Sequence, residues 1–220
     1  MPPAEADTVN VTETFVSLQG ESSYAGLPCF FIRLAGCNLR CSYCDTPGAL
    51  EGGSARSIDE LVNEALSART PLIEITGGEP LLQSGCLPLL CGVTSRQPTN
   101  APVRVLLETN GSVRIDGVPD EVVALMDVKC PGSGMAHSFQ GENLRLLRLH
   151  DEVKFVLSDE ADYRWACDFV CKNELSRRCA VILFSPVAGH LDPGLLADWI
   201  VRDRLPVRLQ LQLHKQLGVR

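Results

Sequence analysis

The 220-residue sequence lacks the marks of three common classes of protein. Its first residues, MPPAEADTVN, contain neither a basic stretch nor an apolar one, so a secretory leader is not expected. Its apolar runs are short: residues 180–184 are typical, far below the roughly 20 residues that a membrane-spanning helix needs. Blocks of Lys and Arg are missing as well. With 20 basic against 27 acidic side chains the net charge is −7, a sign that repels phosphate and argues against nucleic acid as a partner. Internal repeats, low-complexity tracts and interdomain linkers are also missing. A cytoplasmic protein, with neither membrane nor nucleic acid as a partner, is the expectation.

What is present is ordinary in bulk: 45% hydrophobic and 21% charged residues suit a folded chain rather than a disordered one. The length suits a single domain over residues 1–220, with residues 1–10 flexible and a core that needs no disulfide staples. The acidity is uneven. Residues 1–140 hold 8 basic and 16 acidic side chains, residues 141–220 hold 12 and 11, so a few cations facing a pocket remain compatible with a small anionic ligand. The unusual figure is ten cysteines. In a reducing compartment, clustered cysteines more often bind metal or do chemistry than pair with one another.

Hydrophobic patterning predicts strands at 11–18 and 29–35, joined as a hairpin through Gly26-Leu27-Pro28. Further strands are expected at 72–76, 103–107, 125–129, 152–157, 180–184 and 207–212. Helices separate most of them. One starts at a capping box, Ser57 with Glu60, ahead of Leu61, Val62, Ala65 and Leu66 on one face. Residues 81–95 read as an interrupted helix, 159–175 as a long one, and Asp192-Pro193 opens the last, over 192–202. Strands alternating with helices give an α/β fold with a parallel sheet. Polar and glycine-rich segments follow the C-terminal ends of the strands, where α/β barrels place their sites. About six core strands are too few to close an eight-stranded barrel, so the expectation is a partial, open TIM-like barrel with flanking helices and an N-terminal hairpin.

Cys37, Cys41 and Cys44 are spaced C-x3-C-x2-C on one predicted loop. Three thiolates so placed can each hold one iron of a cubane and leave a fourth iron open, the arrangement of a reactive rather than a purely structural site. A zinc knot completed by a remote ligand, Cys130 or a histidine, is the structural alternative. Cys167 and Cys171, also spaced C-x3-C, fall on a predicted helix, and with Cys86, Cys91 and Cys179 they are expected to pack in the core as small hydrophobes.

The cysteine loop, with aromatic Tyr43 before its last cysteine, is followed 33 residues beyond Cys44 by Gly77-Gly78-Glu79-Pro80. Together, in this order and at strand ends, these motifs resemble the radical SAM superfamily. That resemblance implies a [4Fe-4S] cluster on Cys37, Cys41 and Cys44 whose open iron chelates S-adenosylmethionine. Reductive cleavage then yields a 5′-deoxyadenosyl radical, and an electron donor of flavodoxin or ferredoxin type is implied. Ser17-Leu18-Gln19-Gly20-Glu21-Ser22, Phe31-Ile32-Arg33-Leu34-Ala35-Gly36-Cys37-Asn38-Leu39, Cys44-Asp45-Thr46, Glu108-Thr109-Asn110-Gly111, residues 127–134 and Leu213-His214-Lys215 narrow the resemblance to the 7-carboxy-7-deazaguanine synthase family, from about residue 10 to the end. It implies a Mg2+-dependent ring contraction of 6-carboxy-5,6,7,8-tetrahydropterin with loss of ammonia, on the way to queuosine, by a homodimer. The competing readings are a radical SAM activase that makes a glycyl radical on a protein, and a non-enzymatic zinc or iron–sulfur module.

The resemblance also implies roles for single residues. Tyr43, Gly77, Gly78, Glu79, Glu108, Asp127, Val128, Lys129 and Ser185 match positions around SAM. Leu18, Gln19, Gly20, Glu21, Arg33, Thr76 and His214 match the substrate side, and Thr46 matches the magnesium position, where a lone hydroxyl suits an ion that keeps waters and substrate oxygens. Elementary chemistry agrees at Arg33, a cation on an otherwise apolar strand that is costly to bury without an anion; the structural alternative is an ion pair with a glutamate such as Glu74. Glu108 and Asn110 are suited to ribose hydroxyls or to a substrate edge. Lys154 alternates with Val153 and Phe155 and is expected to point into the sheet interior. Where many relatives carry an aromatic, this chain has Gln216-Leu217-Gly218-Val219-Arg220, and Arg220 or a terminal carboxylate could substitute.

Overall fold

Successive strand side chains point to opposite faces, and here the two faces carry different chemistry. On one face Phe30, Ile32, Leu34, Ile73, Ile75, Val105, Leu107, Val122, Met126, Val153, Phe155, Leu157, Ile182 and Phe184 join the main core beneath the helices. The opposite face starts apolar, with Cys29, Phe31, Leu72, Leu106, Val123 and Leu125 in a smaller cluster. Toward the C-terminal strand ends that face turns polar, at Arg33, Glu74, Thr76, Glu108, Asp127 and Lys154. Because both faces are buried, the strands read as apolar runs with a polar residue at alternate positions.

A computed structural model describes residues 7–97 and 102–219. Its strands are β1 (Thr8–Leu18), β2 (Pro28–Leu34), β3 (Ser54–Ser57), β4 (Leu72–Gly77), β5 (Arg104–Thr109), β6 (Val122–Asp127), β7 (Glu152–Leu157), β8 (Val181–Pro186) and β9 (Arg208–Leu209). The helices are α1 (Ile58–Ser67), α2 (Cys86–Ser95), α3 (Asn143–Leu146), α4 (Glu160–Lys172), α5 (Pro193–Asp203) and α6 (Leu213–Leu217). Among the described residues the strands form one sheet in the order β3-β1-β2-β4-β5-β6-β7-β8-β9. From β2 to β9 all neighbours are parallel, while β1 pairs antiparallel with β2 and with β3. The sheet is open, as the strand count predicts.

α1 shows how the crossovers are held. Ile58, Leu61, Val62 and Ala65 recur at helical spacing and are all buried, each large one contributing about 1.5–3 kcal/mol by leaving water. Asp59 and Glu60 in its first turn favour the positive end of the helix dipole.

Four expectations need correction. Strand β1 starts at Thr8 rather than Val11 and pairs with β3 from Thr8↔Ser57 to Val11↔Ser54, so residues 8–10, expected to precede the fold, are part of the sheet; residues 1–6 lie outside the described residues. The same pairing takes Ser57 as the last strand residue, and its side chain makes no cap hydrogen bond to α1. The 207–212 strand shrinks to Arg208–Leu209. Gln210 turns there to donate its side-chain amide to Ser22 O at 2.8 Å, and Leu213 N bonds Gly20 O at 2.9 Å, drawing the chain off the sheet toward the β1–β2 turn. Finally, Cys91 and Cys171 are exposed rather than packed in the core, although Cys86 and Cys179 are buried as expected.

Candidate active site

The polar strand ends open into one cleft enclosing roughly 1530 Å³ of empty space, part of it continuous with solvent. The cysteine loop forms one wall, and the β1–β2 turn with the C-terminal segment forms the other. Cys37, Cys41, Cys44, Tyr43, Thr46, Gly77, Gly78, Glu108, Asp127 and Lys129 line it, as do Leu18, Gln19, Gly20, Glu21, Arg33, Thr76 and His214. Glu79, Val128 and Ser185 do not. Val128 is buried and donates its N–H to Lys154 O at 2.9 Å, and Ser185 is buried with no partner for its hydroxyl among the described residues.

The cysteine loop is tied to the ends of several strands. Asn38 donates to Ser112 Oγ at 2.9 Å, Ser42 Oγ to Gly132 O at 2.8 Å, Ser42 N to Ser133 O at 3.0 Å, and Tyr43 Oη to Val156 O at 3.0 Å. Cys37 Sγ accepts from Leu39 N at 3.4 Å and from the Asn110 amide at 3.9 Å, contacts that fix the position of the sulfur. Among the described residues no three His, Cys, Asp or Glu side chains converge as they would around a single ion. The three cysteines instead line one cleft together with buried Asp127, whose Oδ1 has no hydrogen-bond partner among the described residues. Donor set and space both fit an iron–sulfur cluster with a polar co-ligand.

The glycine pair abuts this loop. Gly77 has φ +145°, and a Cβ there would overlap the backbone of Leu34; a Cβ on Gly78 would overlap Gly36 O and lie 2.7 Å from Cys37 Cβ. Glu79, expected around SAM, points away from the cleft and is fully buried. It accepts from Leu81 N at 3.0 Å, Asn110 N at 2.6 Å and Thr109 Oγ1 at 2.9 Å, so it joins the glycine turn to the end of β5. Burial pushes its carboxyl up to about 7 against the pull of those donors.

On the opposite wall, Gln19 donates to the buried carboxyl of Glu74, and Gly20 leaves room for the His214 ring, which a Cβ would overlap. Arg33 pairs with Glu13 at 3.0 Å and stacks over Phe15, so its ion partner is Glu13 rather than the Glu74 considered from sequence; its guanidinium still reaches the cleft. Lys215 pairs with Asp45 at 2.7 Å, and Asp45 in turn accepts from Thr46 Oγ1 at 3.2 Å. Burial raises the Asp45 carboxyl, but the Lys215 ammonium outweighs it and holds the group well below its usual range. Thr46 therefore offers a hydroxyl beside a firmly ionised carboxylate, which suits a hard cation.

Lys154 is the residue that sequence reasoning left outside the site. Its Nζ lies 2.6 Å from Glu21, 2.8 Å from Glu108 and 3.4 Å from Asp127. Burial lowers its proton affinity, yet Glu108, Glu21 and Asp127 together hold it well above normal. Burial likewise raises Glu108, and Lys154 overrides it, lowering that carboxyl to about 2. Glu108 also accepts from Thr76 at 2.8 Å and shares Lys154 with Asp127, so it stands between the residues matched to the substrate side and those matched to SAM. The signal was a lysine in a strand otherwise written Glu-Val-Lys-Phe-Val-Leu. Gln212 and Lys215 were missed as lining residues for a different reason: they enter the cleft because the chain leaves the sheet at Gln210.

Comparison with known proteins gives concordant results. A family model of the radical SAM superfamily matches residues 31–155. A 7-carboxy-7-deazaguanine synthase of Chlorobaculum tepidum is 47% identical over 212 residues, covering 95% of this chain and 94% of its own. Proteins of the same name from Koribacter versatilis and Methanospirillum hungatei are 44% and 42% identical, covering 94% and 99% of this chain and 96% and 89% of theirs. The crystal structure of QueE from Escherichia coli matches with a TM-score of 0.73 at 22% identity, over 94% of this chain and 95% of that one. That of SuiB from Streptococcus suis, bound to S-adenosylmethionine, matches with a TM-score of 0.51 at 13% identity, over 80% and 44%. At such identities these two speak for the fold.

Proposed function

The chain belongs to the 7-carboxy-7-deazaguanine synthase family of the radical SAM superfamily, and on that premise we propose how its cleft divides the work. The reaction is the ring contraction of 6-carboxy-5,6,7,8-tetrahydropterin to 7-carboxy-7-deazaguanine with loss of ammonia, a lyase step toward queuosine. The observation that carries the reading is the convergence of the cysteine loop, the glycine turn and the Gln19–Glu21 turn on a single cleft.

Cys37, Cys41 and Cys44 would hold the [4Fe-4S] cluster, with Asn110 and Leu39 N–H groups stabilising the Cys37 sulfur. Bound there with SAM, the cluster supplies the one-electron chemistry that removes a hydrogen atom from the substrate. Gly77 and Gly78 let the backbone approach the methionyl group without a Cβ in the way, Tyr43 borders the adenine side, and Asp127 presents an unpartnered buried acceptor. Lys129, 2.9 Å from that Asp127 carboxylate, keeps it in place; Glu79, Val128 and Ser185 support these residues from behind. Arg33 receives the substrate carboxylate in its guanidinium fork. Glu21 and Glu108 accept from pterin N–H groups beside Thr76, Gln19 and Leu18, and His214 closes over Gly20. Thr46 serves Mg2+, with Asp45 ionised beside it.

Residues 1–220 form one domain in this reading, supported by the single sheet that runs through the described residues. A small-molecule substrate and a reductant are required; the reductant would be of flavodoxin or ferredoxin type, and the assembly a homodimer in the cytoplasm. Among the described residues no helix is long and apolar enough to cross a membrane.

Anaerobic reconstitution followed by turnover tests the assignment. About four irons and four sulfides per chain are expected, lost on Cys37→Ala, Cys41→Ala or Cys44→Ala. SAM, reductant and the carboxytetrahydropterin together should yield the deazaguanine; its absence from cluster-replete protein would sink the reading. Thr46→Ala should raise the Mg2+ concentration needed for half-maximal rate, and an unchanged metal response removes Thr46 from the site.

A further inference from the structure

Lys154 gathers carboxylates from three separate parts of the chain: Glu21 in the β1–β2 turn, Glu108 near the end of β5 and Asp127 at the end of β6. Its side chain is 10% exposed. Other charges face this group as well. Glu74 on β4 lies beneath, Lys129 after β6 pairs with Asp127 at 2.9 Å, and Asp45 in the cysteine loop is engaged by Lys215. Glu21 accepts a further hydrogen bond from Gln212 at 2.8 Å. Several acids thus share one low-dielectric space, where burial disfavours a carboxylate's charge unless a cation opposes it. Glu74 shows this: burial, with Glu108 and Glu21 adding to it, pushes its carboxyl well above the usual range.

The consequence concerns hydrogen-bond polarity. An ionised carboxylate is acceptor-only, whereas a protonated one places a donor on one oxygen. The amino-pyrimidinone edge of a pterin presents N–H donors, so a protonated Glu108 would set donor against donor, and a displaced Glu21 would leave those donors without their acceptor. We propose that Lys154 is a positioning residue for the reaction: by fixing Glu21 and by fixing Glu108 in its ionised form, it keeps this wall of the cleft an acceptor toward the pterin edge. It acts through the two carboxylates and needs no contact with substrate. The inference rests on the reading that the cleft binds a carboxypterin, and the wild-type arm of the experiment tests that reading by itself.

The experiment is anaerobic calorimetric titration of cluster-replete, SAM-loaded protein with 6-carboxypterin, the redox-inert oxidised form of the substrate, from pH 6 to 9. The quantity read is the ratio of wild-type to variant affinity at each pH, which removes the titration of the pterin itself. For Lys154→Met the ratio should be about tenfold or more near pH 6.5, the loss expected when one charged acceptor takes up a proton. It should shrink as pH rises, because deprotonation restores the acceptor. Lys154→Arg keeps the charge and should give a ratio that does not change with pH. If Lys154→Met does not retain its cluster, Lys154→Gln carries the same comparison.

A ratio for the neutral variant that is independent of pH, at whatever size, overturns the proposal and leaves Lys154 a structural residue. So does unaltered affinity in that variant, or a pH-dependent ratio in Lys154→Arg. Failure of the wild-type protein to bind 6-carboxypterin at any pH instead refutes the assigned substrate, and the inference falls with it.

Discussion

Glu79 offers a test whose size and sign both come from its surroundings. The side chain is fully buried, and its two oxygens receive two backbone N–H groups and a threonine hydroxyl. Burial outweighs these donors and lifts the carboxyl from its ordinary 4.5 to about 7. Below the unfolded value the group is protonated in both states and contributes nothing to a pH dependence. Between about 4.5 and 7 the unfolded chain gives up its proton while the native state keeps it, so stability falls as pH rises. Above about 7 the loss is complete. At about 1.4 kcal/mol per tenfold change in proton affinity, it amounts to about 3 kcal/mol. Glu79→Gln cannot ionise. At the acid end the variant should be less stable than wild type by about 1–3 kcal/mol, because an amide nitrogen must face a backbone N–H that an oxygen now accepts. The gap should then narrow, and reverse or nearly so, by pH 7. Urea unfolding of both proteins at intervals across that range measures it. Glu74 and Glu152, also raised by burial, titrate in both proteins and cancel from the difference. Parallel stability curves, or a gap that widens with pH, would refute the reasoning.

Three further outcomes are expected. Gly78→Ala should displace the cysteine loop, since the new Cβ would lie 2.7 Å from Cys37 Cβ and closer still to Gly36 O; a cost of about 1–3 kcal/mol in thermal or urea unfolding and weaker SAM binding by calorimetry follow. Arg33→Met should raise KM about 10–100-fold, the range of one or two charge-assisted hydrogen bonds to a carboxylate, with a smaller change in kcat. An unaltered KM would remove Arg33 from the substrate. Alkylation of native protein by iodoacetamide, read by mass spectrometry, should modify exposed Cys91 and Cys171 well before Cys29, Cys86 and Cys130, whose thiols burial raises, Cys86 to about 12.

Much of the site was legible because it is local in sequence. Cys37 to Cys44 occupy one loop, Gly77 to Pro80 one turn, and each carries its own signature. The parallel strands were legible for the same reason, as apolar runs bounded by polar turns. What escaped is what tertiary contact decides. Glu79 looks like a cleft residue beside two glycines, and it points away because Thr109 and the backbone of Asn110 and Leu81 supply donors on the other side. Ser57 fits a capping box, and pairing of β3 with Thr8 claims its backbone for the sheet. Lys154 was seen to face inward, but its three acids lie 133, 46 and 27 positions away along the chain. No local pattern announces such a meeting.

The stitching of the cysteine loop has a consequence for how the protein acquires its metal. Asn38, Ser42 and Tyr43 are each bonded to a segment far away in sequence, and Gly36 and Cys37 are bonded back to Ala49 and Leu50. The folding of the chain therefore contributes to the ordering of the loop. In small zinc domains the free energy of metal uptake is the free energy of folding, and chelation unfolds them. Here the loop is also held by bonds from the rest of the fold, which do not depend on iron or sulfide. Oxidative loss of the cluster should then leave a folded protein that refills, with the turnover lost and the melting temperature little changed.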